Sequence, residues 1–96
     1  MYLIQSRTSK AIYIGFTNNL KRRLSEHNSN KSFSTKEKGP WELVYCEVYK
    51  SYEDTKERED RLKYYGRALS QLKRRIKRSL EGPASIQGSN FKKMLG

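Results

Sequence analysis

The stretch from Trp41 to Tyr49 limits the fold more than any other part of the chain. It alternates as an extended strand does, with Trp41, Leu43, Tyr45 and Tyr49 on one side and Val44, Cys46 and Val48 on the other. Both sets are largely apolar, so a sheet built on this strand is covered on both faces. Two earlier runs, Tyr2-Leu3-Ile4 and Ala11-Ile12-Tyr13-Ile14-Gly15-Phe16, are rich in β-branched and aromatic residues and are separated by the polar Arg7-Thr8-Ser9-Lys10. This pattern reads as a β-hairpin. Tyr13 and Gly15 then share one face, and Ile12, Ile14 and Phe16 the other.

Helices supply the cover. Thr17 and Asn18 provide a cap for a helix over about 18–28, striped by Leu20 and Leu24 with His27 on the same side. Ser51 with Asp54 opens a second helix that runs to about Tyr65, packs through Tyr52, Thr55, Leu62 and Tyr65, and ends at Gly66. Ala68, Leu69, Leu72 and Ile76 stripe a third helix over Arg67–Arg78. The polar stretch 28–39 is long for a connection in a compact domain and reads as a working loop. From Ser79 the periodicity weakens, so a domain over residues 1–78 and a flexible basic tail over 79–96 are expected. The order β-β-α-β-α-α gives the fold class α+β, a small antiparallel sheet flanked by helices.

Charge narrows the choice of partner. Lys and Arg number 21 against 10 Asp and Glu, a net charge of +11 on 96 residues. Self-repulsion on that scale disfavours compactness, and a polyanion relieves it. Nucleic acid is the leading polyanion and an anionic membrane surface the second. The aromatic content of 11% argues against a disordered chain. No apolar run is long enough to span a bilayer, and no basic-then-apolar leader is present. Cys46 is the single cysteine, which excludes an internal disulfide and a multi-cysteine zinc site. A cytoplasmic protein is expected.

Several side chains stand out as chemistry-bearing. Glu59 lies four after Thr55 and three before Leu62, so it leans toward the packed side of its helix. A carboxylate there is either ion-paired, with Lys63 or Arg23, or holds a cation. Arg23 and His27 are four apart and border the Leu20/Leu24 stripe. They are either an ordinary helix edge or a phosphate grip beside a proton carrier. Tyr2 and Tyr13 are either sheet-packing residues or, near positive charge, proton acceptors. Gly15, on the face of Tyr13, leaves room for a backbone or a ligand to approach. The third helix carries six basic residues and no acidic one, which suits contact with a nucleic-acid backbone or a solvated face.

The run Tyr13-Ile14-Gly15-Phe16-Thr17-Asn18-Asn19-Leu20-Lys21-Arg22-Arg23-Leu24 with Glu26-His27 resembles the GIY-YIG nuclease superfamily. So do Pro40-Trp41-Glu42-Leu43-Val44-Tyr45 and the later Arg58-Glu59 with Leu62-Lys63. The likeness covers about residues 1–78 and is greatest to small single-domain bacterial members related to the N-terminal nuclease domain of the bacterial excinuclease. The Gly and Ile of the first motif are absent, with Met1 preceding Tyr2, and Gln71 and its neighbours stand where some members use an asparagine.

The resemblance implies a three-stranded antiparallel sheet and a phosphodiesterase acting on DNA. It implies catalytic roles for Tyr2, Tyr13, Arg23, His27 and Glu59, with Glu59 holding one Mg²⁺ or Mn²⁺ ion. A single carboxylate is enough for such an ion when water and phosphate oxygens complete its shell. Gly15, Lys21, Arg22, Arg67, Lys73 and Arg74 are the expected DNA-binding positions. Structure-specific cleavage in repair or recombination, by a monomer or weak homodimer, follows as the functional expectation. The alternative is a nucleic-acid-binding module of the same fold that does not cleave.

Overall fold

β1 (Tyr2–Ser6) is the middle strand of a three-stranded antiparallel sheet, flanked by β2 (Ile12–Gly15) and β3 (Trp41–Cys46). This is seen in a computed structural model that describes residues 1–29 and 39–81. The central position explains why Tyr2, Leu3 and Ile4 are all buried. The hairpin turn is tied by the Ser6 hydroxyl, which accepts from the backbone N–H of Thr8 and Ser9. Lys10 takes the left-handed conformation, with φ 66°, that closes it.

The helices are α1 (Leu20–Asn28), α2 (Tyr52–Tyr64), α3 (Gly66–Arg75) and α4 (Lys77–Glu81). The α+β class and the order β-β-α-β-α-α therefore hold, with one addition. The third expected helix is broken at Ile76, and its second part carries Leu80 onto the core. Packing thus runs past residue 78, into the start of the expected tail. The loop positions 30–38 and tail positions 82–96 lie outside the described residues. Gly66 begins α3 rather than only ending α2. Asn19, not Thr17 or Asn18, caps α1 by accepting from the Arg22 N–H at 3.1 Å. Ser51 caps α2 as its spacing predicts, accepting from the Asp54 N–H.

The sheet is covered on both faces, as the double apolar alternation of β3 requires. Met1, Leu3, Ile14, Val44, Leu62 and Leu72 form one core, under α2, α3 and α4. Tyr2, Ile4, Trp41 and Leu43 form the other, closed by Leu20 and Leu24 of α1. The side-chain assignment along β3 needs one correction. Between Leu3↔Tyr45 and Ile4↔Leu43 the register shifts, and Val44 has no partner on β1. This bulge turns Val44 and Tyr45 to the same core and returns Cys46 to the face of Trp41 and Leu43. Strict alternation had placed Tyr45 with Trp41.

Candidate active site

Pairing in the hairpin sets the first element of the site. Tyr2 lies directly across from Gly15, and Ile4 across from Tyr13, so both phenols rise from the α1 face of the sheet. A Cβ on Gly15 would lie 2.6 Å from the Tyr2 hydroxyl oxygen and 2.8 Å from Cζ. The space left by this glycine is therefore filled by the Tyr2 phenol. Gly15 is buried, so its part is to seat that ring, and the expected direct approach of DNA to it is not what the packing provides.

The α1 helix supplies the second element. His27, in its last turn, is 1% exposed, and its Nε2 is 2.8 Å from the Tyr2 hydroxyl. The Tyr13 ring meets His27 edge-on at 5.0 Å between centroids and lies 6.4 Å from the Tyr2 ring. Asn28 fixes this end of the helix to the sheet. Its amide donates to the Trp41 carbonyl at 2.9 Å, and its Oδ1 accepts from the Trp41 N–H at 2.6 Å. One turn earlier, Arg23 pairs with Glu26 at 3.1 Å, and its guanidinium also reaches the hydroxyls of Tyr2 and Tyr13.

Electrostatics follow from this packing. Burial pushes the Tyr2 hydroxyl up to about 12, against the opposing pull of its bond to Arg23. Basic neighbours therefore do not convert Tyr2 to a phenolate. Lys21 and Arg22, the other basic residues of this helix, are exposed. Burial also lowers the His27 pKa, and Arg23 lowers it further, so the ring is neutral near pH 7. Burial pulls Arg23 down, but its bonds to Glu26, Tyr2 and Tyr13 outweigh this and hold it above its ordinary value. A protonated phenol facing a neutral imidazole donates its O–H to Nε2 in the tautomer that carries the ring proton on Nδ1.

Glu59 projects from α2 and is 2% exposed. Its Oε1 accepts from Lys56 Nζ at 2.8 Å, and Oε2 lies 3.7 Å from Lys63 Nζ. The ion pair with Lys63 foreseen from sequence is present. The one with Arg23 is not among the ion pairs formed, since Arg23 takes Glu26. Glu59 still acts on the tyrosine cluster, because its charge raises the Tyr2 pKa. Of the two alternatives read from sequence, ion pair or cation site, the ion pair is present, made by two lysines.

No group of three or more His, Cys, Asp or Glu side chains gathers to hold a metal among the described residues. Glu59 alone fits the chemistry of a hard divalent ion. Its two oxygens are buried and already draw positive charge, and an ammonium stands against Oε1 where such an ion would bind. Lys56 and Lys63 are 43% and 36% exposed, so both have solvent to move into.

The remaining expected positions lie on the surface. Lys21 and Arg22 are exposed on α1, and Arg67, Lys73 and Arg74 are exposed on α3. Sequence reasoning passed over Lys56 and Asn28. The place of Lys56, three before Glu59, was the available signal. Asn28 sat at the edge of what read as a loop.

A profile of the GIY-YIG catalytic domain matches residues 1–63, the segment that carries every member of this cluster. The chain belongs to the GIY-YIG family. Among relatives of this GIY-YIG protein, a UPF0213 protein of Clostridium perfringens is 31% identical over 94 residues, 97% of this chain and 92% of the relative. A UPF0213 protein of Syntrophus aciditrophicus is 36% identical over 70 residues, 71% of this chain and 79% of its own. A structure-specific endonuclease subunit SLX1 homolog of Drosophila mojavensis is 50% identical over 36 residues, 33% of this chain but 12% of that protein. No solved structure matches. Among the described residues no helix is long and apolar enough to cross a membrane.

Proposed function

We propose that this GIY-YIG protein hydrolyses phosphodiester bonds in DNA, with one divalent ion, Mg²⁺ or Mn²⁺, held by Glu59. The observation that carries the reading is the Tyr2 hydroxyl, 2.8 Å from a neutral, buried His27 Nε2, with the Arg23 guanidinium on the same hydroxyl. Likeness to a structure-specific endonuclease subunit supports a nuclease and suggests branched or flapped DNA of repair and recombination as substrate.

Tyr2 stays protonated at neutral pH, so it acts as a relay and not as a preformed phenolate. It passes its proton to His27 Nε2 as it takes one from the attacking water, and Arg23 steadies the oxygen while the charge is on it. Tyr13, edge-on to His27, holds the imidazole in place and presents a second hydroxyl to the phosphate. Arg23 also grips the non-bridging phosphate oxygens, for which a planar guanidinium is suited. When bound at Glu59, the ion supplies positive charge to the phosphate and to the leaving oxygen. Lys21, Arg22, Arg67, Lys73 and Arg74 bind the backbone without reading sequence.

A second reading, a DNA-binding module that does not cleave, is favoured by one observation: Lys56 and Lys63 already neutralise Glu59. The test incubates the protein and its Glu59→Gln variant with nicked, flapped, branched and linear DNA, with and without Mg²⁺. Cleavage by the parent that needs the ion and disappears in the variant, while binding survives, supports hydrolysis. Binding without cleavage by either protein supports the module.

A further inference from the structure

Beside Tyr2 lies an open cleft of about 650 Å³ whose walls include Phe16, Leu20, Val48, Tyr49 and Tyr52. The volume is within the range of small-molecule pockets, ~300–1,000 Å³. Leu20 belongs to the core, but Val48 and Tyr52 do not, being 85% and 61% exposed. The aromatic side is ordered. Phe16 meets Tyr52 edge-on at 5.7 Å between centroids, and Lys56 Nζ lies 5.1 Å from the Phe16 ring centre. Asn18 and Lys50 add polar groups to the lining. Tyr49 and Tyr52 are exposed rings, Lys50 lines the cleft with Lys56 at its edge, and the lining carboxylate Glu47 is paired with Arg58; on a chain of net charge +11 this surface can stack a base and neutralise a phosphate.

We infer that this cleft takes an unpaired nucleobase of the bound DNA strand, next to the phosphate presented to Tyr2. The inference rests on the reading of Tyr2 as part of a DNA-cleaving site and adds a substrate requirement to it. Tyr2 belongs both to the proton-relay cluster and to the cleft lining, so the cleft lies directly beside that buried cluster. A base within a duplex has both faces stacked and cannot offer one to Phe16 or Tyr52. A base at a flap, gap or fork can. The cleft therefore selects DNA with single-stranded character beside the bond to be cut, and the exposed cations of α1 and α3 need not do so.

The experiment measures fluorescence anisotropy of labelled DNA with the full chain in chelator, where no cleavage interferes. Forked DNA, blunt duplex of the same sequence, and forked DNA with one abasic position at the junction are compared for the parent, Tyr52→Ala and Tyr52→Trp. Tyr52 is exposed, so folding survives, and circular dichroism checks this. Tyr52→Ala is expected to bind forked DNA about tenfold more weakly and blunt duplex unchanged, with Tyr52→Trp restoring affinity. The abasic position should weaken the parent by a similar factor and leave Tyr52→Ala indifferent. Equal binding of forked DNA by the parent and Tyr52→Ala overturns the cleft assignment alone. So does a variant whose only change is in concentration-dependent sedimentation, which would make the cleft a self-association face. A parent that binds no DNA of any form overturns both this inference and the nuclease reading.

Discussion

Gly15→Ala is the smallest change that disturbs the tyrosine–histidine pair, and its size can be worked from contacts. The added methyl would lie 2.6 Å from the Tyr2 hydroxyl oxygen, 2.8 Å from Cζ and 3.1 Å from Cε1. Ordinary contact is about 3.5–4.0 Å, so the ring must shift by about 1 Å. Tyr2 is 2% exposed and its hydroxyl is 2.8 Å from His27 Nε2, so a shift of that size takes the bond outside hydrogen-bonding distance. Overpacking costs about 1–3 kcal/mol and the lost bond about 1 kcal/mol, a total of about 2–4 kcal/mol. At roughly 4–8 °C per kcal/mol for a domain this small, Tm falls by at least about 8 °C. Urea and thermal unfolding measure the loss, and nitrogen-15 NMR of the imidazole reads whether Nε2 still accepts a proton. A variant within about 0.5 kcal/mol of the parent, with an unchanged His27 signature, would refute the packing derived for Gly15 and Tyr2.

Other perturbations have equally definite outcomes. Burial, then Arg23, hold His27 below its ordinary value of 6.5, so the unfolded chain takes up the proton first on acidification. Its contribution to stability is therefore complete above pH 6.5 and is lost as pH falls through the folded-state value. Urea unfolding above and below that point should show the slope, and His27→Gln should flatten it. Arg23→Ala is expected to cut DNA at least about a hundredfold more slowly with a modest change in binding. A large drop in Tm without a rate effect would mark that arginine as structural. Lys56→Met removes the ammonium against Glu59 Oε1 and should tighten Mn²⁺ binding by up to about fivefold in an EPR titration. Weaker binding would show that Lys56 does not compete for the carboxylate.

Much of the fold was legible because it depends on local pattern. The double alternation of β3 required two covered faces, and the hairpin and the Ser51 cap followed from residue type and spacing. Features set by tertiary contacts were not legible. The bulge at Val44 is fixed by pairing with β1, and without it Tyr45 belongs to the wrong core. The helix break at Ile76 follows no Gly or Pro, and it brings Leu80 onto the core that the strand-and-helix pattern had already filled through Leu72. Within the site, the resemblance pointed to Tyr2, Tyr13, Arg23 and His27, and the sheet register with α1 brings all of them together. The closure of Glu59 was half legible. Lys63, four after Glu59, was read as a partner, while Lys56, three before it and equally within reach on a helix, was passed over. The fall of the tyrosine hydroxyl's acidity was not legible at all. Positive charge nearby favours the phenolate, but burial dominates here and has no signature in a list of neighbours.

Single-turnover cleavage by Tyr2→Phe asks most directly whether these residues form a reacting centre. The substitution keeps the ring that fills the space beside Gly15 and removes the hydroxyl that faces His27 and Arg23. Loss of a positioned proton carrier predicts a rate about a hundred- to ten-thousandfold lower, with DNA affinity unchanged. Cleavage at the parent's rate would mean that Tyr2 only packs, and that the chemistry lies elsewhere.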